Sequence, residues 1–250
     1  MTARFFQYFH HSNRVYSGKS QIQFKRMDEK MKKRNQRNLS ITLCLLAAFV
    51  LWTKAVSCID VQAIGPRDSS VGFATVNGFI HKLIGVHISL YTITDWLGLV
   101  PLCFILGFAF LGLVQLIKRR SLLKVDYSIF VLGVFYIIVM AAYLFFEMFV
   151  INYRPVLIEG YLEASYPSST TMLVMCVMPT AIMQFNERIK NSTVRKSING
   201  ILIAFMVFMV VGRLVSGVHW LTDIIGGALL SAGLVMLYYF VVNLKVGKRE

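Results

Sequence analysis

Residues 127–151 read YSIFVLGVFYIIVMAAYLFFEMFVI, an apolar run in which Glu147 is the one charged side chain. A helix crosses the hydrocarbon core of a bilayer in about 20 residues, so this run is long enough to span. On either side, runs of similar character lie at approximately 40–57, 96–117, 168–185, 199–216 and 220–243. The run at 168–185 is the weakest, being short and interrupted by Pro179, and the polar residues at its start place it among the other helices. The chain of 250 residues is 56% hydrophobic and 15% charged, where soluble domains carry roughly 25% charged residues. A water-soluble fold of this size cannot hide so much apolar surface. The expected fold is therefore all-α: a polytopic membrane protein built as a six-helix transmembrane bundle.

The expected organisation is a basic cytoplasmic segment at 1–38, a membrane domain at 39–244 and a basic tail at 245–250. Residues 1–38 carry ten Lys and Arg without a sustained apolar period and are expected to be mostly disordered, with at most a short surface helix. The first long apolar run starts near residue 40 with no small-residue cleavage site after it, so no cleavable leader is expected. Lys and Arg distribution sets the orientation. Four lie in 118–126, four in 186–197 and three in the tail, whereas the alternate connections hold only Arg67, Lys82, Arg154 and Arg213. Both termini are thus expected in the cytoplasm. The net charge of +14 is a topology signal and a match for anionic head groups, and it does not point to nucleic acid.

In this orientation Arg154, Arg213, His219, Asp223 and the polar stretch GYLEASYPSSTT (160–171) gather at the extracytoplasmic ends of the helices. His219 and Asp223 are four apart, one turn on one helix face. A carboxylate there can accept a hydrogen bond from one ring nitrogen and leave the other free to attack. Arg213 and Arg154 can clamp phosphate oxygens through paired hydrogen bonds. Ser168, Ser169 and Thr170 open a helix after Pro167, where hydroxyls and free backbone N–H groups make an anion site. Each feature has an ordinary reading: charges in interfacial water, or a serine cap following proline. A metal site from His219 and Asp223 lacks further ligands of suitable type nearby, and no cofactor is expected. Taken together, the residues describe a phosphate pocket with a nucleophile.

Their order and spacing resemble the type 2 phosphatidic acid phosphatase superfamily, whose three motifs are K-x6-R-P, P-S-G-H and S-R-x5-H-x3-D. The third is matched by Arg213, His219 and Asp223, with Gly212 in place of the serine. The second retains Pro167 and Ser168, and the first retains Arg154 and Pro155. The resemblance implies attack of His219 on phosphorus, Asp223 orienting the imidazole, and Arg154 and Arg213 stabilising the equatorial oxygens. It also implies a lipid phosphate substrate, and with the short basic loops a bacterial cell membrane. Glu147 stands where the family has lysine, and Thr170 where it has the histidine that protonates the leaving oxygen.

Three readings follow from those departures. A polyprenyl diphosphate releases an already stable phosphate anion and needs no acid. Another carboxyl, Glu163 or Glu159, can supply the proton, while Glu147 pairs with Arg154. Alternatively the chain binds a lipid phosphate without turning it over, or passes the phosphoryl group to another lipid. Trp96 and Trp220 read as interface anchors, His81 and His87 as exposed, the four cysteines as packing residues, and Gly226-Gly227 as a close helix contact. The segment 58–92 is expected to place a helix on the outer surface.

Overall fold

The computed structural model describes the backbone of residues 2–246 and the side chains of residues 29–244. Eight helices follow in order: α1 (Thr2–Cys58), α2 (Ala74–Ile84), α3 (Ile88–Leu97), α4 (Leu99–Arg119), α5 (Tyr127–Met148), α6 (Ser169–Arg188), α7 (Ser192–Val215) and α8 (Leu221–Val246). No strand is present among the described residues, only isolated bridges. Among the described residues, five stretches are long and apolar enough to cross a membrane: Glu29–Cys58, Ile88–Arg119, Tyr127–Met148, Ser192–Val215 and Leu221–Leu244. The chain is a multi-pass, all-helical membrane protein.

Two details differ from the sequence reading. The helix α1 starts far ahead of the first apolar run, at Thr2. The stretch expected to be mostly disordered holds no proline and Gly18 as its sole glycine, and it is rich in Lys, Arg, Gln and Met, which are good helix formers. Most of the basic tail, residues 247–250, lies outside the described residues. The run expected at 96–117 reaches back to residue 88, because α3 and α4 join at Gly98, whose N–H donates to Thr94 O and Asp95 O at 3.0 Å each.

The run at 168–185 becomes α6, which packs against α4, α5, α7 and α8. It falls short of span-like composition because protein, not lipid, surrounds it: Val174, Cys176, Val177, Met178 and Ala181 are wholly buried. Two of its buried polar side chains find partners inside the bundle, whereas the Thr171 hydroxyl near its start has none. Thr180 donates to Cys176 O at 2.8 Å and meets the Tyr136 hydroxyl at 3.1 Å, and Gln184 donates to the Tyr238 hydroxyl. On α5 the residues Ile129, Leu132, Phe135, Tyr136 and Val139 form the buried face at helical spacing.

At one end of the bundle, α5 ends, α6 begins, and α7 turns into α8. The segment around α2 grips that turn. Asn77 is buried and donates to Gly72 O at 2.8 Å and to Thr222 Oγ1 at 2.9 Å. His87 N–H donates to Ser216 O at 2.9 Å. His81, expected exposed, is instead half-buried, with Nε2 3.1 Å from Gly217 O and its ring 5.4 Å from the Trp220 ring. Trp220 is not an interface anchor: it is 3% exposed, and its indole N–H donates to Tyr153 O at 2.7 Å. Trp96, by contrast, is 71% exposed.

Gly217 has φ +69°, and a Cβ there meets Gly85 O at 2.0 Å. Both the backbone conformation and the contact exclude a side chain. Gly217→Ala is expected to destabilise the fold by about 2 kcal/mol or more, read as a fall of several degrees in the thermal midpoint of the detergent-solubilised protein. An unchanged midpoint contradicts the close packing of this turn.

Candidate active site

The connection between α5 and α6 folds back on itself as a hairpin, with bridges at Tyr153–Ala164 and Ile158–Tyr161. Ser165 N–H donates to Asn152 O at 2.9 Å, and Arg154 N–H donates to Glu163 O at 3.1 Å. This register fixes Arg154 on one arm of the hairpin and Ser165 on the other. Gly226 lets the returning chain dock on α8, since a Cβ there sits 2.5 Å from the Tyr166 ring. Gly227 does the same at 3.0 Å from Ser168 O. The glycine pair therefore makes a close contact with the hairpin and the start of α6.

His219 lies in the turn before α8 and is 3% exposed; Asp223, one turn into α8, is wholly buried. The expected direct hydrogen bond between them is absent: Nδ1 and Oδ2 are 3.7 Å apart, too long for one. Ser165 fills the gap. Its hydroxyl is 3.0 Å from His219 Nδ1 and donates to Asp223 Oδ2 at 2.5 Å. Trp220 N–H donates to the same Oδ2 at 2.9 Å, and Ser168 N–H donates to Asp223 O at 3.0 Å. The Asn152 amide lies beside the carboxylate without reaching hydrogen-bond geometry. His219 Nε2 is buried and has no partner.

The two arginines share one aromatic ring. The guanidinium carbons of Arg213 and Arg154 lie 4.9 Å and 5.7 Å from the centroid of Tyr91. Arg213 is 1% exposed, and its Nη1 reaches Thr94 Oγ1 at 3.4 Å and Asp95 Oδ1 at 3.5 Å, while its Nε has no partner. Arg154 Nε lies 3.1 Å from Glu163 Oε2, outside good alignment, and its Nη1 is also unpartnered. Buried polar groups are nearly always hydrogen-bonded. Unpaired cationic donors beside an unpaired imidazole nitrogen form an arrangement that can receive an anion. Burial, reinforced by Arg154 and then Arg213, holds the His219 pKa well below the ordinary imidazole value. The ring is neutral near pH 7, as a nucleophile must be.

His219, Ser165, Ser169, Tyr143, Phe146 and Glu147 line one small cleft. Arg154, Arg213, His219 and Asp223 are thus brought to one end of the bundle, and Ser169 joins them in the cleft. Ser168 is buried with an unpartnered hydroxyl and makes no side-chain cap. Thr170 and Pro155 are not among the cleft residues. Of the candidate acids, Glu163 is ion-paired with Arg154 and Glu159 is exposed and outside the cleft, whereas Glu147, also exposed, lines the same cleft as His219. The expected Glu147–Arg154 pair is replaced by Glu163–Arg154, because the hairpin places Glu163 opposite Arg154. Among the described residues, no group of three or more His, Cys, Asp or Glu gathers as a metal site.

Sequence reasoning missed Ser165 and the α3 side chains Tyr91, Thr94 and Asp95. A Cβ at Gly212, where the family has serine, sits 2.8 Å from Thr94 Cγ2. The close approach of α3 to α7 accounts for that glycine.

Membrane-length helices around the buried α6, with a histidine, an aspartate and two arginines buried at one end, define a helical membrane protein. The sequence pattern of the PAP2 superfamily matches residues 131–246, the segment that runs from α5 to the end of α8. The fold is similar to the crystal structure of a transmembrane PAP2-type phosphatidylglycerolphosphate phosphatase from Bacillus subtilis. That likeness has 18% identity and a TM-score of 0.56, covering 84% of this chain and 99% of the other. No curated protein is recognisably similar in sequence.

Proposed function

We propose that the chain is an integral-membrane phosphatase that removes phosphate from a lipid phosphate or polyprenyl diphosphate at the extracytoplasmic face of the cell membrane. In this reading α6 is the sixth spanning helix, and both termini are cytoplasmic. The observation that carries it is the buried, unpartnered Nε2 of His219, flanked by two arginines with open donors. That nitrogen attacks phosphorus, the P–O bond to the lipid breaks, and a phosphohistidine forms. Water then attacks phosphorus and releases inorganic phosphate. Arg154 and Arg213 stabilise the equatorial oxygens, so the chemistry runs without a metal ion. Ser168, Ser169 and the free N–H groups at the start of α6 add neutral donors, and Thr170 and Pro155 shape that entrance.

Glu147 supplies the proton that the family histidine delivers elsewhere. The Bacillus subtilis relative is named for phosphatidylglycerolphosphate, which supports a lipid phosphate; the missing histidine supports a diphosphate. A panel of both lipid classes, assayed in detergent with chelator present, decides between them. Phosphate release is expected from wild type. Glu147→Gln is expected to slow monoester hydrolysis about 10²-fold, and diphosphate hydrolysis by less than about threefold, since that leaving group needs no proton. Equal effects on both classes remove Glu147 from the acid role. No phosphate release from any lipid overturns the phosphatase reading, and label appearing on an acceptor lipid makes the chain a phosphotransferase.

A further inference from the structure

We infer that Ser165 is a positioning residue that sets the tautomer of His219, coupling the ring to the Asp223 carboxylate through its hydroxyl. A serine hydroxyl has one proton to give and lone pairs to receive. Asp223 Oδ2 already accepts from Trp220 N–H at 2.9 Å, so it faces Ser165 as a second-time acceptor. The short contact of 2.5 Å from Ser165 Oγ to Oδ2 therefore uses the hydroxyl proton. At 3.0 Å from His219 Nδ1, the same oxygen can then only accept. Nδ1 must carry the ring hydrogen, and Nε2 is left with its lone pair, buried and unpartnered.

Without the hydroxyl, Asp223 stands 3.7 Å from the ring and cannot dictate which nitrogen is protonated. Ser165 is itself held by the hairpin through its N–H bond to Asn152 O at 2.9 Å, and it is 2% exposed. As phosphorus bonds to Nε2, positive charge develops on the ring. The ordered Nδ1–H to Ser165 to Asp223 relay stabilises that charge without moving a proton to the carboxylate. Residue 165 thus does by relay what a direct carboxylate–imidazole contact does where the two groups touch.

The tautomer part of the inference stands on geometry alone, and the rate part rests on the phosphatase reading, so the test has two arms. In the first, nitrogen-15 histidine-labelled protein in detergent is studied by long-range proton–nitrogen correlation, with His219 assigned by its loss in His219→Gln. Wild type is expected to show Nδ1 protonated and Nε2 bare. Ser165→Ala is expected to lose that single pattern, and Ser165→Thr to keep it. In the second arm, Ser165→Ala lowers kcat for phosphate release about 10²-fold with KM within about threefold, and Ser165→Thr recovers most of the loss. A wild-type ring protonated on Nε2, or a Ser165→Ala protein with unchanged pattern and rate, overturns the inference. The expected wild-type tautomer with no phosphate released from any lipid leaves the role of Ser165 standing and overturns the phosphatase reading.

Discussion

Replacing Arg213 with alanine is expected to lower phosphate release on the order of 10³-fold, while the protein stays as heat-stable as wild type or becomes more so. Both halves follow from how the side chain is held. Arg213 is 1% exposed, its Nε has no partner, and its contact to Asp95 is long at 3.5 Å to a side chain 57% exposed. Arg154 is close enough to oppose its charge. A buried cation this poorly compensated costs stability in the empty protein, and deletion relieves that cost. Only an anionic substrate repays it. Lysine at 213 is not expected to restore activity, because a point charge lacks the planar fork that grips two oxygens. Phosphate release and thermal midpoints of Arg213→Ala and Arg213→Lys check this. Activity within tenfold of wild type, or loss of the folded protein, contradicts a phosphate-binding role for Arg213.

Replacing His219 with glutamine is expected to abolish turnover, a loss on the order of 10⁴-fold or more, while sparing lipid-phosphate binding. Glutamine keeps a polar group of similar reach toward Ser165, so the relay loses its nucleophile and little else. The arginines and the α6 start remain to hold the phosphate. Binding of a lipid phosphate in detergent, measured beside turnover, separates the two functions. Retained turnover removes the histidine from the chemistry and leaves a site that merely binds.

Much of this architecture is legible along the chain because membrane depth leaves few options. The run at 127–151 becomes α5, Tyr127–Met148, since only a helix satisfies its backbone in lipid. Arg154, Arg213, His219 and Asp223 stand out for the same reason: ionisable groups at membrane depth are costly and rarely idle. What stays hidden depends on neighbours rather than composition. The helix α6 looks weak because its walls are protein, which can satisfy Thr180 and Gln184. Ser165 is one hydroxyl among several in ASYPSSTT, and only the Tyr153–Ala164 register selects it. Trp220 and His81 share a residue pattern with interface anchors, yet the Tyr153 and Gly217 carbonyls draw them inward. The α3 contribution is a long-range packing fact, announced only by the missing side chain at Gly212.

Rapid quenching of the wild-type protein during turnover of a phosphorus-32-labelled lipid phosphate or diphosphate addresses the covalent step directly. The account predicts an acid-labile, base-stable phosphoryl group on the peptide that contains His219, formed and lost at catalytically competent rates and absent from His219→Gln. Turnover with no such label, or with label on any other residue, contradicts it.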